Sequence, residues 1–299
     1  ALRFLLARQD EETGHFGETE GYGHGICAYA FAEAYAMTKD PDLRGPLERA
    51  IGRILEEQET RKDPRFFGGW SYYYPDGSRF DEWPRASITA WQVMALESAR
   101  LGGIEVPDET FAAARSYLLR SFDEEHDYFR YSHDPRRLSS GYRTLPGSTP
   151  ASVFALGLLG AGEDPRVASA VPFVRDRRPR RFQVRSEERF VTHGEGNLYF
   201  WYYGTLAFFQ RGGPLWKEWN EAMKGTLLPA QEPDGSWTPI DPYARIAGDD
   251  DADRSYTTAI CVLMLEIYYR YVTPLLRWHP SMPGAERPTP TPAAGRRPI

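Results

Sequence analysis

Apolar positions along the chain recur at spacings of three and four, while the alternation of two that marks a half-buried strand is nearly absent. Five segments, roughly 24–37, 87–101, 148–160, 197–211 and 255–271, carry small and apolar residues with few charges. Between them lie 44–58, 108–121, 165–175 and 214–231, each with one charged face. In the second of these, Phe111, Ala114, Tyr117, Leu118 and Phe122 share one side of a 3.6-residue helix, and Pro107-Asp108 supplies its start signal. Residues 1–9 read as a further amphipathic helix entered part-way along with no Met before it, so a chain trimmed at its N-terminus is expected. Arg181-Phe182-Gln183-Val184-Arg185 is the one candidate for a short extended segment.

A helix that is apolar all round needs cover on most sides, whereas one with a charged face needs water on one. Alternating the two kinds predicts an all-α fold in two concentric layers, with the apolar helices inside. That pattern occupies 1–278 as one repeat domain. Residues 279–299 are Pro-rich and aperiodic, and are expected to be a disordered tail or tether.

A loop of recurring type follows several outer segments. It reads Gln9…Gly14-His15-Phe16-Gly17, then Gln58…Gly68-Gly69-Trp70-Ser71-Tyr72, and finally Gln231-Glu232-Pro233-Asp234-Gly235-Ser236-Trp237. The Gln can bond the free carbonyls of its own helix or the amides of the next. Asp234-Gly235 makes a tight turn, and Trp237 packs back as a staple.

Composition narrows the function. The net charge of −6 argues against a nucleic-acid partner. No apolar run is long enough to span a bilayer and no signal-peptide pattern opens the chain, so a soluble protein of undetermined location is expected. Cys27 and Cys261 each sit in an apolar helical pattern and read as buried free thiols. Aromatic residues reach 14%, which implies a large aromatic core or an aromatic-lined cavity.

The string Gln-x-x-Asp-Gly-Ser-Trp at 231–237 resembles the QW repeat of squalene-hopene and oxidosqualene cyclases, and Gly69-Trp70…Thr89-Ala90-Trp91-Gln92 looks like the same unit. Over about 1–275 the chain resembles bacterial prenyltransferase and squalene oxidase repeat proteins, a group largely without assigned activity. The resemblance implies an α/α toroid of about five to six inner and outer helix pairs around a central cavity. It also implies a terpene cyclase or prenyltransferase type of chemistry, with an isoprenoid or other largely apolar ligand.

Each chemistry of that superfamily makes a demand on the sequence. Class II cyclases protonate an alkene or epoxide with the central acid of Asp-x-Asp-Asp-Thr-Ala, but Ser87-Ile88 and Tyr256-Thr257 precede the two Thr-Ala pairs here. Arg85 and Arg254 lie four residues before Thr89 and Thr258, where a cation suits an anionic group or pairs with Asp81 or Asp253. The zinc site of protein prenyltransferases needs Asp, Cys and His, and Cys261 has Ala259 where the carboxylate belongs, so no metal site is expected on that ground. Gly25-Ile26-Cys27-Ala28 does not match the thioester motif of the complement type.

Several clusters carry a functional reading beside a structural one. Asp249, Asp250 and Asp253 fit Asp-Asp-x-x-Asp, a weak candidate for a divalent metal, and Asp250 and Asp253 are candidate acids; equally, the cluster caps the helix that follows. Asp81 occupies the equivalent loop before Ser87 and is the other candidate acid, with the same capping alternative. His24, among glycines at the start of an inner helix, is either a proton carrier at a cavity mouth or a satisfied core histidine. The run Tyr199-Phe200-Trp201-Tyr202-Tyr203 points rings all round a helix, so some face the centre, where ring faces stabilise cations and stack on sugars. Trp70, Trp91, Tyr29 and Tyr256 join Tyr199, Trp201 and Tyr202 as candidate ligand contacts, with Arg85 and Arg254. Five Arg between 175 and 181 make a basic patch for an anionic partner, or a solvated loop.

Three functions remain open on these grounds: an isoprenoid-binding toroid with or without turnover, a non-catalytic protein-binding scaffold, and a carbohydrate-active toroid with paired carboxylates. A closed aromatic cavity, a centre filled by its own side chains, and an open cleft with exposed Trp would distinguish them.

Overall fold

The computed structural model describes residues 1–16, 21–72, 83–138, 145, 147–186, 189–190, 193–240, 242–246, 248–250 and 253–268. Asp81 and the 279–299 tail lie outside these residues.

The described chain is all-α apart from one two-stranded hairpin. Its helices are α1 (Leu2–Leu6), α2 (Gly21–Thr38), α3 (Pro41–Glu56), α4 (Ala86–Leu101), α5 (Asp108–Arg120), α6 (Pro135–Leu138), α7 (Ser148–Leu158), α8 (Pro165–Asp176), α9 (Leu198–Arg211), α10 (Gly213–Leu227), α11 (Pro242–Ile246) and α12 (Ser255–Leu265). The five apolar segments become α2, α4, α7, α9 and α12, and the four amphipathic ones become α3, α5, α8 and α10. The last apolar segment stops being α-helical at Leu265, short of the expected 271.

Contacts between helices give the architecture. α2 packs on α4, α4 on α7, α7 on α9 and α9 on α12, which makes an inner series of consecutive neighbours. α3 leans on both α2 and α4, and α5 on both α4 and α7, so these outer helices bridge successive inner ones; α8 packs on α7 and α10 on α9. This is the α/α-toroid arrangement. The inner helices are buried accordingly, and every residue of α4 from Ala86 to Ala99 is out of water. By contrast α3 buries only Leu43, Leu47, Ala50, Ile51 and Ile54, one stripe of a helix whose other face is charged.

Inner and outer layers are locked at close range. A Cβ on Gly204 of α9 would lie 2.3 Å from the Trp219 ring of α10, so only glycine fits, and the Trp219 indole donates to Thr205 Oγ1 at 2.9 Å.

One hydrogen-bond pattern recurs at four places. The backbone N–H of Trp70, Phe129 and Trp237 donates to Thr89 Oγ1 (3.2 Å), Thr149 Oγ1 (3.1 Å) and Thr258 Oγ1 (3.3 Å), each in the first turns of an inner helix. In the first copy Phe16 N–H donates to His24 Nδ1 at 3.3 Å. The indoles of Trp70 and Trp237 reach back to the preceding outer helix, at Ile54 O (2.8 Å) and Leu227 O (2.9 Å). Glutamines begin three of these loops. Gln9 Nε2 donates to Gly14 O and Pro46 O, Gln58 Nε2 to Gly68 O and Thr110 O, and Gln231 Nε2 to Gly235 O. Their amides therefore serve loop carbonyls and a carbonyl of the next outer helix, a correction to the expected bonding of amides.

The hairpin pairs β1 (Phe122–Asp123) with β2 (Tyr128–Phe129), antiparallel, with Asp127 at a φ of 53° in the turn. Two-residue strands leave no readable alternation, which is why the sequence does not announce them. Residues 181–185 form no strand, because they gain no pairing partner. Cys27 and Cys261 are free, with Cys261 buried and Cys27 half-buried.

Candidate ligand site on the inner helices

Aromatic side chains of four inner helices meet at the centre. Trp91 of α4 lies nearly flat on Tyr202 of α9, with centroids 5.8 Å apart and 17° between planes, and stands edge-on to Tyr203 at 5.6 Å. Tyr29 of α2 approaches Trp91 at 6.2 Å, and Phe154 of α7 approaches Tyr203 at 6.4 Å. The Tyr203 hydroxyl points at Met94 Sδ, 3.5 Å away. Trp91 is 7% exposed, and its indole N–H has no acceptor among the described residues. A buried donor left unpaired costs about 1–3 kcal/mol, so this N–H is a place where a ligand oxygen would be stabilised.

Toward the N-terminal ends of the inner helices the cluster turns from bare rings to hydroxyls. Tyr22 of α2 shares a hydrogen bond with Ser87 of α4, and its ring meets Tyr199 edge-on at 6.3 Å and Tyr72 at 5.4 Å. Tyr72 and Tyr131 are joined hydroxyl to hydroxyl at 2.7 Å. The Arg85 guanidinium stacks above both, 5.7 Å from the Tyr72 ring and 5.3 Å from Tyr131, and donates to Trp83 O and to Ser132 Oγ. Burial pushes the phenols of Tyr22, Tyr131, Tyr199 and Tyr203 well above the ordinary tyrosine value, so all four are neutral donors at any physiological pH.

Of the residues singled out in the sequence, Trp91, Tyr199, Tyr202 and Arg85 come together here. Tyr256 is half-buried at the start of α12 and lies near enough to Tyr199 to influence its phenol. The other candidates go elsewhere. Trp201 points away from the centre to Phe182, 6.4 Å off, because it sits one position before Tyr202 on the helix. Trp70 is wholly buried as the staple onto Ile54. Arg254 donates to Ser236 Oγ at 3.2 Å and so holds the Asp234-Gly235 turn, where Asp234 accepts from Ser236 N–H and Gly235 adopts a φ of 87°.

His24 is committed to the backbone. Nδ1 accepts from Phe16 N–H, so Nε2 carries the proton and faces Ala50 O at 3.0 Å. Burial pushes its pKa down to about 3, which leaves it a poor proton carrier at neutral pH. Its place is that of the threonines in the other copies.

The acidic loop before α12 caps that helix. Both oxygens of Asp249 accept amide bonds, from Tyr256 and Thr257, at 2.8 Å each. Asp253 Oδ1 takes the N–H and hydroxyl of Ser255, which hold its carboxyl below the usual range, and Asp250 Oδ1 accepts from Asp253 N–H. Asp250 and Asp253 are exposed. Asp253 is therefore exposed and ionised at neutral pH, and both oxygens of Asp249 are given to backbone amides. Among the described residues, the donor atoms that approach within 4.8 Å of one another belong instead to Asp123, Glu125 and His126 of the hairpin. Within that group Asp123 pairs with Arg130 Nε at 3.1 Å and shares a hydrogen bond with His126 Nδ1 at 3.1 Å. Of the arginines of 175–181, Arg175 and Arg178 pair with Glu218 at 2.8 and 3.5 Å and Arg177 stacks on Phe173, while Arg180 and Arg181 are exposed.

Tyr22, Tyr72 and Tyr131 were not distinguishable in the sequence. Tyr22 stands between glycines, Tyr72 opens a run of three tyrosines and Tyr131 closely follows Tyr128 and Phe129, and only the convergence of three separate chain segments makes them a group. Two surface clefts of about 440 and 270 Å³ among the described residues lie against the hairpin and against α5, away from the central rings. No helix of the described residues is long and apolar enough to cross a membrane.

No family model matches the sequence, and no curated protein does. Solved structures with a similar course of the chain include the type II terpene cyclase MstE from Scytonema in its apo form, with a TM-score of 0.37 and 14% identity over 92% of this chain and 95% of that one. A variant of MstE in complex with geranylgeranyl dihydroxybenzoate gives a TM-score of 0.37 and 14% identity over 92% and 94%. At this distance the toroid assignment rests on the helix contacts described above.

Proposed function

We propose that this chain is a terpene cyclase-like repeat protein that binds an isoprenoid or similar apolar ligand among the rings of its inner helices. The observation that carries the reading is the convergence of Tyr29, Trp91, Tyr202 and Tyr203 from three helices around the unpaired indole N–H of Trp91. Stacked faces of this kind stabilise a passing positive charge, and the neutral phenols of Tyr22 and Tyr199 offer hydroxyls to a polar end group. The recurring Gln, turn and Trp pattern supports the QW-type repeat. No metal or cofactor is part of the reading. If the ligand is turned over, Asp81 is the acid to test, since Asp250 and Asp253 are exposed and used as caps.

The test is native mass spectrometry after incubation with an isoprenoid and glycan panel, with products analysed in parallel. Retention of an isoprenoid that is lost in Trp91→Ala supports the reading, and product formation lost in Asp81→Asn makes the protein an enzyme. A second reading, a protein-binding scaffold, is favoured by one observation: Trp91 and Tyr202 already stack on each other and so fill the space between them. Retention of no small molecule, with a protein partner recovered, would decide for it.

A further inference from the structure

The hairpin that follows α5 is anchored on both sides. Phe122 of β1 meets Phe129 of β2 edge-on at 5.2 Å, and β2 packs on α7 and α8. Phe129 is further tied to Thr149 of α7 through its N–H, at 3.1 Å. The turn between the strands closes tightly, because Asp123 O accepts from His126 N–H at 3.3 Å and from Asp127 N–H at 2.9 Å. A turn this short, fixed on a rigid inner helix, keeps Asp123, Glu125 and His126 beside one another without help from any other segment.

Within this turn the buried carboxylate of Asp123 is held in one orientation. Arg130 Nε donates to its Oδ2 at 3.1 Å and Glu125 N–H to its Oδ1 at 3.2 Å, which leaves Oδ1 turned toward His126 Nδ1, 3.1 Å away. The same imidazole nitrogen has Glu125 Oε2 at 3.8 Å. One donor atom from each of the three residues lies within 4.8 Å of the other two. A proton on Nδ1 can bridge to one carboxylate at a time, whereas an ion between them is reached by both oxygens and the nitrogen. The spacing suits such an ion: ligand atoms about 2.1 Å from one metal stand about 3.0 Å apart at a right angle and about 3.4 Å apart at the tetrahedral angle. Asp123 and Glu125 also line the 440 Å³ cleft, with Glu124 and the guanidiniums of Arg120, Arg130 and Arg166. The group therefore has an open side, and the carboxylates of the cleft offset its guanidiniums.

We propose that Asp123 Oδ1, a carboxylate oxygen of Glu125 and His126 Nδ1 form a binding site for a divalent transition-metal ion of the zinc type. Arg130 is the positioning residue, since it fixes the far oxygen of Asp123 in the way outer partners fix metal ligands. The imidazole selects the class of ion: Mg²⁺ and Ca²⁺ take oxygen donors, while imidazole with carboxylates suits zinc. Water from the cleft completes the coordination.

Equilibrium dialysis of the full chain against zinc chloride, after washing with EDTA, tests this. One zinc ion per chain is expected to be retained in excess Mg²⁺ and Ca²⁺. The side chains of Glu125 and His126 are 81% and 44% exposed, so Glu125→Ala and His126→Ala leave the core intact, which circular dichroism checks. Each is expected to weaken zinc binding by about tenfold or more. Should His126→Ala fail to fold, His126→Gln is read in the same way. Co²⁺ in place of zinc is expected to give a visible absorption band in the parent chain that disappears in the His126 variant. Absence of a retained ion in the parent overturns the proposal. So does zinc binding that either variant leaves unchanged, because the ion then sits elsewhere, or zinc that Mg²⁺ displaces, because exposed carboxylates alone then hold it.

Discussion

The ring of Trp91 rests on that of Tyr202 with 17° between their planes, and this contact joins two inner helices that are not neighbours in the inner series. The pair spans the middle of the toroid, so whatever enters must displace it or lie against it. Trp91→Ala is expected to lower stability by about 3–5 kcal/mol in urea unfolding, the cost of emptying a large buried site. Trp91→Phe keeps most of the ring surface and removes the unpaired N–H. It is expected to be nearly neutral in stability while weakening retention of an oxygen-bearing ligand, and tighter retention would refute the role given to the indole.

The four-fold hydrogen-bond pattern makes Thr89 and Thr258 equivalent in function. Thr89→Val and Thr258→Val each orphan a backbone N–H, that of Trp70 or Trp237. Each is expected to cost about 1–3 kcal/mol, measured by denaturant midpoints. A large effect at one position and none at the other would show that the two loops are not copies of one device.

His24 predicts a pH dependence with a definite sign. Its folded pKa of about 3 lies below the ordinary 6.5, so between these values the unfolded chain binds the extra proton. Stability is therefore full above pH 6.5 and falls as the pH drops toward 3. His133, held down to about 4 by burial first and by nearby Arg130, Arg120 and Arg65, acts in the same direction. From pH 7 to pH 5 each contributes a loss of about 2 kcal/mol. In His24→Thr the acid-side slope of stability against pH should become shallower. An unchanged slope would mean that His24 is not the neutral, backbone-bonded group described.

Asp249 predicts a purely structural phenotype. Asp249→Ala removes acceptors from two amides at the start of α12 and is expected to cost about 1–2 kcal/mol, with faster amide exchange confined to that helix. Added Mg²⁺ or Mn²⁺ should not change the melting temperature of the parent protein through this loop. A shift abolished in Asp249→Ala would restore the metal reading.

Cys27 should be slow toward alkylation at pH 8, because burial pushes its thiol up to about 11. Mass spectrometry after iodoacetamide treatment reads this directly, and rapid labelling at neutral pH would contradict the half-buried position.

By itself the sequence determined the five apolar and four amphipathic helices, their order and their two kinds, but not the short α6 and α11. Continuous apolar runs such as 148–158 have no polar face to show to water, and stripes such as Leu43, Leu47, Ile51 and Ile54 have one side to hide, so the layers follow from local periodicity. The Gln, turn and Trp loop at 231–237 was legible as well, because its pattern is contained in seven consecutive residues. What periodicity does not carry is rotation of a helix about its own axis. The run 199–203 announces rings without saying that Tyr199, Tyr202 and Tyr203 face the centre while Trp201 faces Phe182. Nor does spacing distinguish a histidine that moves protons from one that, like His24, stands in for a threonine, since the difference lies in Phe16 and Ala50 on other segments. The tyrosine hydroxyls at the mouth belong to the same class. Tyr22, Tyr72 and Tyr131 are 50 and more residues apart, and only the closing of inner helix on inner helix brings them within hydrogen-bonding reach of one another or of Ser87.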